Sequence, residues 1–302
     1  MEITRYRPDM LPDLTEMVNT HVCCVPPWWE LTPEQVEAIM QMPSRWGLHY
    51  PEPQRFAVRE TTCVLEEGKL VAAAEWGRPD RDDPRWGIEY RDMLHVFWFA
   101  SSPRSGDGME ALLAILTDHA RALGCTTVDA SGRYAFGVGW LGIPILLPHL
   151  IDGFDRWGFE PYERWVIMAG DTDAAARTAP ANGKALRLEW QVNEDALEWE
   201  LKAFDGETLA GECDAWGIPP QFADCKGYGE WITLEWGGVE KAYRRQGIGR
   251  YLIREQMRRQ AERGVKHAML WVEPSNEAAR KMCESVGFEY QVECWRLQKH
   301  LD

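Results

Sequence analysis

The sequence predicts an α/β protein with a mixed sheet, built from two copies of one unit in tandem. The chain has 302 residues, which suits two domains of about 150 residues each. A series of landmarks occurs twice, in the same order. A segment of small and polar residues, AGDTDAAARTAPANGK at 169–184, separates the two copies. We therefore expect domains at residues 1–170 and 184–302, joined by a linker at 171–183.

The repeat consists of four landmarks in each half of the chain. They are a hairpin pattern with Trp-Gly at its end, a G-x-G turn after an apolar strand, a glycine that ends the next helix, and the tripeptide GFE. They lie at residues 66–77 and 204–217, at Gly106/Gly108 and Gly247/Gly249, at Gly124 and Gly264, and at residues 158–160 and 287–289. Such a match at domain scale indicates a duplicated α/β unit.

The two copies differ before and after these landmarks. The first has candidate helices at residues 12–21 and 33–42, and the second of these begins with the capping box Thr32-Pro33-Glu34-Gln35. In the second copy, the alternating strand LRLEWQV at 186–192 passes through a short turn into another alternating strand, LEWELKAF. No helix is expected there. The first copy also carries an apolar insert, YAFGVGWLGIPILLPHL at 134–150.

Composition argues against several classes of protein. We identify no signal core or membrane-spanning run, so the sequence predicts a cytoplasmic protein without a membrane partner. The eight cysteines show no CxxC or Cys/His spacing, so we expect reduced, mostly buried thiols and no metal. The net charge of −15 argues against a nucleic-acid partner and is compatible with an amine substrate.

Residues 243–264, YRRQGIGRYLIREQMRRQAERG, contain the pattern of an anion site. A strand that ends, a glycine turn and a helix start bring unpaired N–H groups and the positive helix dipole to one place. Arginine is unfavourable at that end of a helix unless an anion shares the site. Arg254, Arg258 and Arg263, farther along, are expected to form an ordinary solvated face. The segment lacks the Lys-Ser/Thr pair of a P-loop and a third glycine, so ATP and NAD fit poorly.

The six residues Arg244-Arg245-Gln246-Gly247-Ile248-Gly249 resemble the motif Q/R-x-x-G-x-G/A of the Gcn5-related N-acetyltransferases, the GNAT family. The strands expected at 231–236 and 268–272 and the helix and Gly-Phe turn at 276–288 also match. The resemblance covers nearly all of the second copy, and the first mainly through its landmarks. It implies two tandem GNAT-like domains, each a mostly antiparallel twisted sheet with flanking helices.

The resemblance also implies acetyl-CoA as co-substrate. Backbone N–H groups of residues 245–249 would bind its pyrophosphate, and guanidinium groups would add charge. The pantetheine arm would pair near Val239, and the oxyanion donor would be a backbone N–H at a bulge, which the glycines at 237 and 238 suggest. The expected co-substrate contacts are Val239, Arg244, Arg245, Gln246, Gly247, Ile248, Gly249 and Asn276, although Asn276 could equally be a helix cap.

Two residues are candidates for the proton transfers. Glu235 is a candidate general base, and the equally weighted alternative is a solvent-facing strand residue; Glu273 is held in reserve. Cys283 stands where the family usually has a tyrosine acid. An isolated helix cysteine is more often a small core residue, and the CoA thiolate could also leave unprotonated or take a proton from water.

The first copy is expected to be degenerate. Pro103 stands at the position of Arg244, and Asp107 lies between the glycines where a phosphate would approach. We expect this copy to contribute packing and to shape the acceptor pocket, and a second acetyl-CoA site is the less favoured option.

The function expected is therefore an N-acetyltransferase that moves an acetyl group from acetyl-CoA to a primary amine of a small molecule or peptide. A catalytically silent acyl-CoA-binding or regulatory module and a mycothiol synthase-like acetyltransferase are the alternatives. Antibiotic amines, polyamines, amino sugars and peptide amino termini all stay open as acceptors. A homodimer is also open, because the apolar insert could pack against a second chain.

Overall fold

A computed structural model describes residues 1–41, 56–83, 87, 90–130, 136, 141–173 and 186–302. The chain divides into two compact units. Unit 1 contains Met1–Trp165 and Glu293–Asp302, and unit 2 contains Val166–Val292. Most of the expected linker, residues 174–183, lies outside the described residues, as do residue 42 of the second candidate helix and residues 134, 135 and 137–140 of the apolar insert.

Unit 1 is a mixed sheet with flanking helices. Its strands are β1 (Glu2–Arg5), β2 (Phe56–Glu66), β3 (Lys69–Pro79), β4 (Met93–Ser101), β5 (Thr127–Ala130), β6 (Ile143–Pro144), the first half of β7 (Glu160–Asp171) and the second half of β13 (Glu289–His300). Its helices are α1 (Leu11–Val22), α2 (Pro33–Gln41), α3 (Gly106–Ala122) and α4 (Pro148–Arg156). The strand order β1-β2-β3-β4-β5-β13 is antiparallel except for the parallel pair β4–β5.

In its described residues, unit 2 repeats this plan with fewer helices. Its strands are the second half of β7, β8 (Arg187–Asn193), β9 (Glu198–Asp205), β10 (Thr208–Gly217), β11 (Trp231–Val239), β12 (His267–Val272) and the first half of β13. Its helices are α5 (Ile248–Glu262) and α6 (Glu277–Glu284). In the order β7-β12-β11-β10-β9-β8 only β11–β12 is parallel. Within residues 186–205 no helix occurs, which confirms the direct passage from β8 to β9.

Local sequence signals account for the helix ends. At the start of α2, Thr32 N–H donates to Gln35 Oε1 at 2.8 Å and Gln35 N–H donates to Thr32 Oγ1 at 3.3 Å, which is the expected capping box. Gly124 and Gly264 follow α3 and α5 with φ of 66° and 93°, the left-handed conformation in which glycine ends helices. Both predictions are confirmed.

The core of unit 2 forms where α5 packs on one face of the sheet. Leu252 and Met257 of α5 are buried with Leu201, Cys213 and Ala215 of the alternating strands β9 and β10. Each buried Leu or Met side chain stabilises such a core by about 1.5–3 kcal/mol. The residues between them in the strands, including Glu200, Glu212 and Asp214, therefore project from the opposite face.

The closing strands give the units boundaries that differ from the domains expected at 1–170 and 184–302. In unit 2, residues Val166–Asp171 of β7 pair with β12, whereas residues Leu297–His300 of β13 pair with β5 in unit 1. Each half of the chain thus supplies a strand to the unit formed mainly by the other half. The pattern of a strand shows that it pairs, but it does not identify the partner strand.

The cysteines have the state expected from their spacing. All eight are free; Cys23 and Cys24 are exposed and the other six are buried. Among the described residues, no group of three or more His, Cys, Asp or Glu side chains could hold a metal ion. No helix in the described part of the chain is long and apolar enough to cross a membrane.

Substitution of Gly142 tests the assignment of the last strand to unit 1. Gly142 has φ of 94°, and a Cβ there would overlap the carbonyl oxygen of Trp295 in β13. We expect Gly142→Ala to lower the free energy of unfolding by about 1–3 kcal/mol, measured by denaturant unfolding, because both the backbone conformation and the contact become unfavourable. The control is Gly229→Ala, where a Cβ meets no atom within 4 Å. Equal stability of the two variants would contradict this packing.

Candidate functional site

The loop between β11 and α5 has two residues in the left-handed conformation. After β11 ends at Val239, a short 3₁₀ turn spans Lys241–Tyr243, and then Arg245 has φ of 60° and Gly247 has φ of 82°. Gly247 is the N-cap of α5. Glycine adopts this conformation without cost, whereas a non-glycine residue there is strained and such strain concentrates at functional sites.

This loop leaves the first backbone donors of α5 without protein acceptors. Gly247 offers no side chain to cap the helix, and the first bond of the helix is Tyr251 N–H to Gly247 O at 3.0 Å. Within the described ranges, the N–H groups of residues 245–250 donate to no protein acceptor. These donors and the helix dipole together form a site for an anion.

The positive charges beside these donors are not neutralised by the protein. Four exposed cations lie on or next to the loop, and within the part of the chain that the structure describes none of them makes an ion pair: Lys241, Arg244, Arg245 and Arg250. Arg258 and Arg259, farther along α5, pair with Glu255, and Arg263 pairs with Glu194. Cations without an ion pair thus gather at the start of the helix, whereas these three arginines near its end are paired.

Beside the loop, the sheet of unit 2 opens. The parallel pairing of β11 with β12 covers only Trp231–Leu234, although β11 continues to Val239. Glu240 N–H donates to Ala210 O next to β10, so alternation along the strand directs the N–H of Val239 toward the opposite, open edge. An extended ligand could pair with β11 along this edge, near Val239, which the sequence indicated for such pairing.

A β-bulge interrupts β11 at Glu235. Asp214 of β10 lies opposite Trp236, and the next residue, Ala215, lies opposite Leu234, so Glu235 is the extra residue of β11. The sequence suggested the bulge two residues later, at the glycines. The expected position is wrong because Gly237 and Gly238 stay in regular register with β10.

Glu235 is half-buried at this bulge. Its Oε1 accepts a hydrogen bond from Thr233 Oγ1 at 3.1 Å. The reserve candidate, Glu273, is exposed after the end of β12 and accepts from Ser275 Oγ at 3.3 Å. The bulge places Glu235 where the open edge of β11 begins, and Glu273 follows the neighbouring strand.

Asp214 is a further candidate site residue, which the sequence did not indicate. It lies directly opposite the bulge, and its Oδ1 is buried without a hydrogen-bond partner among the described residues. Burial, and after it the negative charges of Glu200 and Glu212, raise the pKa of this carboxyl to about 6, with a smaller opposing effect of Lys202. A half-buried carboxylate with such a pKa is a candidate for proton transfer near neutral pH.

The structure also places the last two predicted site residues. Cys283 is 3% exposed in the core of unit 2, and burial raises the pKa of its thiol to about 11, with a smaller effect of Glu284. This burial favours the core alternative over the acid. Asn276 is the N-cap of α6, where its Oδ1 accepts the Ala279 N–H at 3.1 Å. Its cap role is therefore present, and a ligand contact stays a prediction.

The corresponding helix start in unit 1 is closed by its own side chain. Ser105 is the N-cap of α3, and its Oγ accepts the Gly108 N–H at 3.2 Å. The N-cap of α3 is therefore Ser105, one residue before the glycine that the sequence analysis matched with Gly247. A Cβ at Gly108 would contact Val71 Cγ2 at 2.7 Å, so this glycine serves packing. These contacts support the expectation that the first copy binds no phosphate at this position.

Comparison with known proteins agrees with this architecture. Residues 167–288 match the family model described as "Acetyltransferase (GNAT) family". No curated protein matches the sequence of this chain.

Solved structures resemble the whole chain. A tandem GNAT protein from the clavulanic acid biosynthesis pathway has a TM-score of 0.64 at 13% identity, covering 99% of this chain and 98% of its own. A GCN5-related N-acetyltransferase from Sphaerobacter thermophilus has 0.64 at 15%, covering 99% and 95%. A glucosamine N-acetyltransferase region of a fungal multi-domain GH3 β-N-acetylglucosaminidase has 0.62 at 13%, covering 99% of this chain and 38% of its own. At these identities the likeness establishes a shared fold.

The raised pKa of Asp214 predicts how its replacement changes stability with pH. Because the pKa is about 6 in the folded chain against 3.8 for the ordinary group, the folded state binds the proton more tightly, and the charged carboxylate destabilises the fold above pH 6. Asp214→Asn should therefore raise the free energy of unfolding at pH 7.5 by about 1 kcal/mol, after allowance for solvent screening of a half-exposed group. The gain should fall as the pH falls from 6 to 4. Thermal unfolding of the wild type and the variant at pH 7.5 and at pH 4 measures this difference in stability. A gain that is the same at both pH values would contradict the raised pKa of Asp214.

Proposed function

On the premise that residues 167–288 form an acetyltransferase domain of the GNAT family, in a chain with the fold of tandem GNAT proteins, we propose that this protein is an acetyl-CoA dependent N-acetyltransferase. The acceptor is a primary amine of a small molecule or peptide, and the active site belongs to unit 2. The observation that carries the proposal is the start of α5, where free backbone donors and unneutralised arginines occur together.

The residues of this loop suit a diphosphate. The N–H groups of residues 245–250 can donate to several phosphate oxygens, and no carboxylate neutralises Arg244, Arg245 or Arg250 within the described ranges. A Cβ at Gly249 would lie 2.8 Å from Met282 Sδ and 3.3 Å from Val239 Cγ2, so a side chain there would displace these neighbours of the loop. Gly247 provides the left-handed turn, and Gln246 Nε2 fixes the loop by donating to Ala242 O at 3.0 Å.

The open edge of β11 suits the rest of acetyl-CoA. We propose that the pantetheine arm pairs with β11 near Val239, as an added strand does in β-augmentation. The thioester would then lie near the bulge at Glu235, where a backbone N–H can stabilise the negative charge that develops on the carbonyl oxygen.

The reaction is a direct transfer. A neutral amine nitrogen attacks the thioester carbon, a C–N bond forms, and the carbonyl π pair moves to oxygen. When the intermediate collapses, the C–S bond breaks and its electron pair leaves with sulfur. Nitrogen releases one proton to a carboxylate or water, and sulfur takes one proton from water. The products are an amide and CoA thiol.

One observation favours a second function, that of a silent acyl-CoA-binding module. Cys283, which stands where the family usually has a tyrosine acid, is buried in the core. A chain with no positioned acid could bind acetyl-CoA as a signal without transferring the acetyl group.

A panel of amines separates the two functions. Acetyl-CoA would be incubated with the protein and with 1,3-diaminopropane, glucosamine, kanamycin or glycinamide, and CoA release would be followed by chromatography. We expect acetylated product from at least one amine class. Binding of acetyl-CoA without turnover on any amine would support the silent module instead.

A glycine substitution tests the anion site. Gly247→Leu should abolish CoA binding measured by calorimetry, because a side chain strains the left-handed N-cap and stands among the free donors. The matched control is Gly106→Leu at the start of α3, where a Cβ meets no atom within 4 Å, and it should bind CoA as the wild type does. Equal losses would contradict the assignment, and so would a wild type without affinity for CoA at millimolar concentration.

A charge substitution tests the role of the unpaired cations. Arg245→Gln should weaken CoA binding by about tenfold at low salt, and by less at high salt, because an exposed charge–phosphate contact is screened. Arg258→Gln, which removes a cation already paired with Glu255, should change the affinity by less than about twofold. Calorimetry at two salt concentrations measures both. The same loss in both variants would indicate a general effect of charge and would contradict a local site.

A further inference from the structure

Two carboxylates occupy equivalent positions in the two units. Glu75 of β3 lies opposite Trp98 of β4, beside the bulge of that strand, and Asp214 of β10 lies opposite Trp236 of β11 in the same relation. This equivalence comes from strand register. An alignment on the two Trp-Gly landmarks, at 76–77 and 216–217, would instead match Asp214 with the alanine one residue before Glu75.

In unit 1 this carboxylate is fully satisfied. Glu75 is 8% exposed, its Oε1 accepts from Arg59 Nε at 2.6 Å, and its Oε2 accepts from Trp98 Nε1 at 2.9 Å. A carboxylate that is buried in this way, with an ion pair and a second hydrogen-bond donor, has both of its oxygens occupied by the protein.

In unit 2 no arginine occupies the position equivalent to Arg59. Thr61 lies opposite Glu75 and Glu200 lies opposite Asp214, so the equivalent of Arg59, two residues earlier on the strand, is Glu198. A carboxylate thus replaces the arginine.

The charged groups that face Asp214 are mainly negative. They are Glu198, Glu200 and Lys202 on β9, Glu212 on its own strand, and Glu235 at the bulge of β11. Lys202, the one cation of this set, donates to Glu200 Oε2 at 2.7 Å. The buried Oδ1 of Asp214 has no hydrogen-bond partner among the described residues.

A buried oxygen without a partner costs free energy, and a catalytic role is one reason for a protein to retain such a group. Asp214 lies one strand from the open edge of β11, beside the bulge where the thioester is proposed to bind. It projects from the face opposite α5. Thr233 lies on that same face, between the core residues Ile232 and Leu234, and its hydrogen bond to Glu235 places the Glu235 carboxylate there too. On the basis of the proposed function, we infer that Asp214 is the general base that accepts a proton from the acceptor ammonium group, directly or through one water.

The ammonium group of the acceptor gives one proton to Asp214 Oδ, and the nitrogen keeps the electron pair of that N–H bond. The neutral amine uses this pair for the C–N bond. Asp214 then releases its proton to water, which restores the carboxylate. The raised pKa of Asp214, about 6, keeps it ionised at neutral pH while making it a stronger base than an ordinary carboxylate.

The test is the pH dependence of kcat/KM with whichever of 1,3-diaminopropane, glucosamine, kanamycin and glycinamide turns over. The wild type should show an acid limb near pH 6. Asp214→Asn should lower kcat/KM by at least 100-fold and remove that limb, while the affinity for CoA stays within twofold. Glu75→Gln, the matched change in unit 1, should keep the limb.

A second variant separates a catalytic from a structural role. Glu198→Arg restores the cation that unit 1 has and should lower the pKa of Asp214. The acid limb of kcat/KM should then move to lower pH, whereas it should not move if Asp214 has only a structural role. An unchanged limb in Asp214→Asn, or loss of the limb in Glu235→Gln in its place, would overturn the inference while the transferase assignment stands. If the wild type acetylates none of the four amines, the proposed function fails and the inference with it.

Discussion

The positive end of α5 is the constraint on which the rest of the site depends. A helix that starts at a glycine in the left-handed conformation has no side chain with which to cap its own donors. Arginines next to that end would be repelled by the dipole, and no acidic residue compensates them within the described ranges. The fold tolerates this arrangement because its core, formed by α5 and β9–β11, supplies the stability elsewhere. The uncompensated charge is what makes an anionic ligand the natural counterpart.

The two units show how one architecture can be closed or open for a ligand. In unit 1 the helix start is capped by Ser105 and the carboxylate beside the bulge is held by Arg59 and Trp98. In unit 2 a glycine replaces the cap, and a glutamate replaces the arginine. Polar groups that find partners within the protein contribute to stability, whereas those that do not are available for chemistry. At these two positions the divergence of the repeat is therefore visible in its hydrogen bonds.

The strand bulges are the second shared device. In unit 2 the parallel pairing of β11 ends at Leu234, directly before the bulge at Glu235. In unit 1 the described pairing of β4 reaches His95, before the bulge at Phe97. A bulge increases local twist and ends regular pairing, so it opens the sheet edge without requiring a loop. In unit 2 the opened edge of β11 leads through residues 240–247 to the N-terminus of α5, so the proposed sites for the pantetheine arm and for the phosphates adjoin.

The sequence by itself determined the duplicated α/β plan, the helix ends and the glycine turn that begins α5. These depend on residues close together in the chain: the capping box at Thr32, the glycines after α3 and α5, and Gly247 before a helix. Only the tertiary structure decided which unit each closing strand joins, that the bulge falls at Glu235, that Cys283 is buried, and that Asp214 lacks a partner. Each of these depends on strand register or on burial by distant residues. Strand register aligns Asp214 with Glu75, whereas the Trp-Gly landmark aligns it with the alanine one residue earlier. Such a one-residue difference changes which side chains meet, and the local sequence pattern does not reveal it.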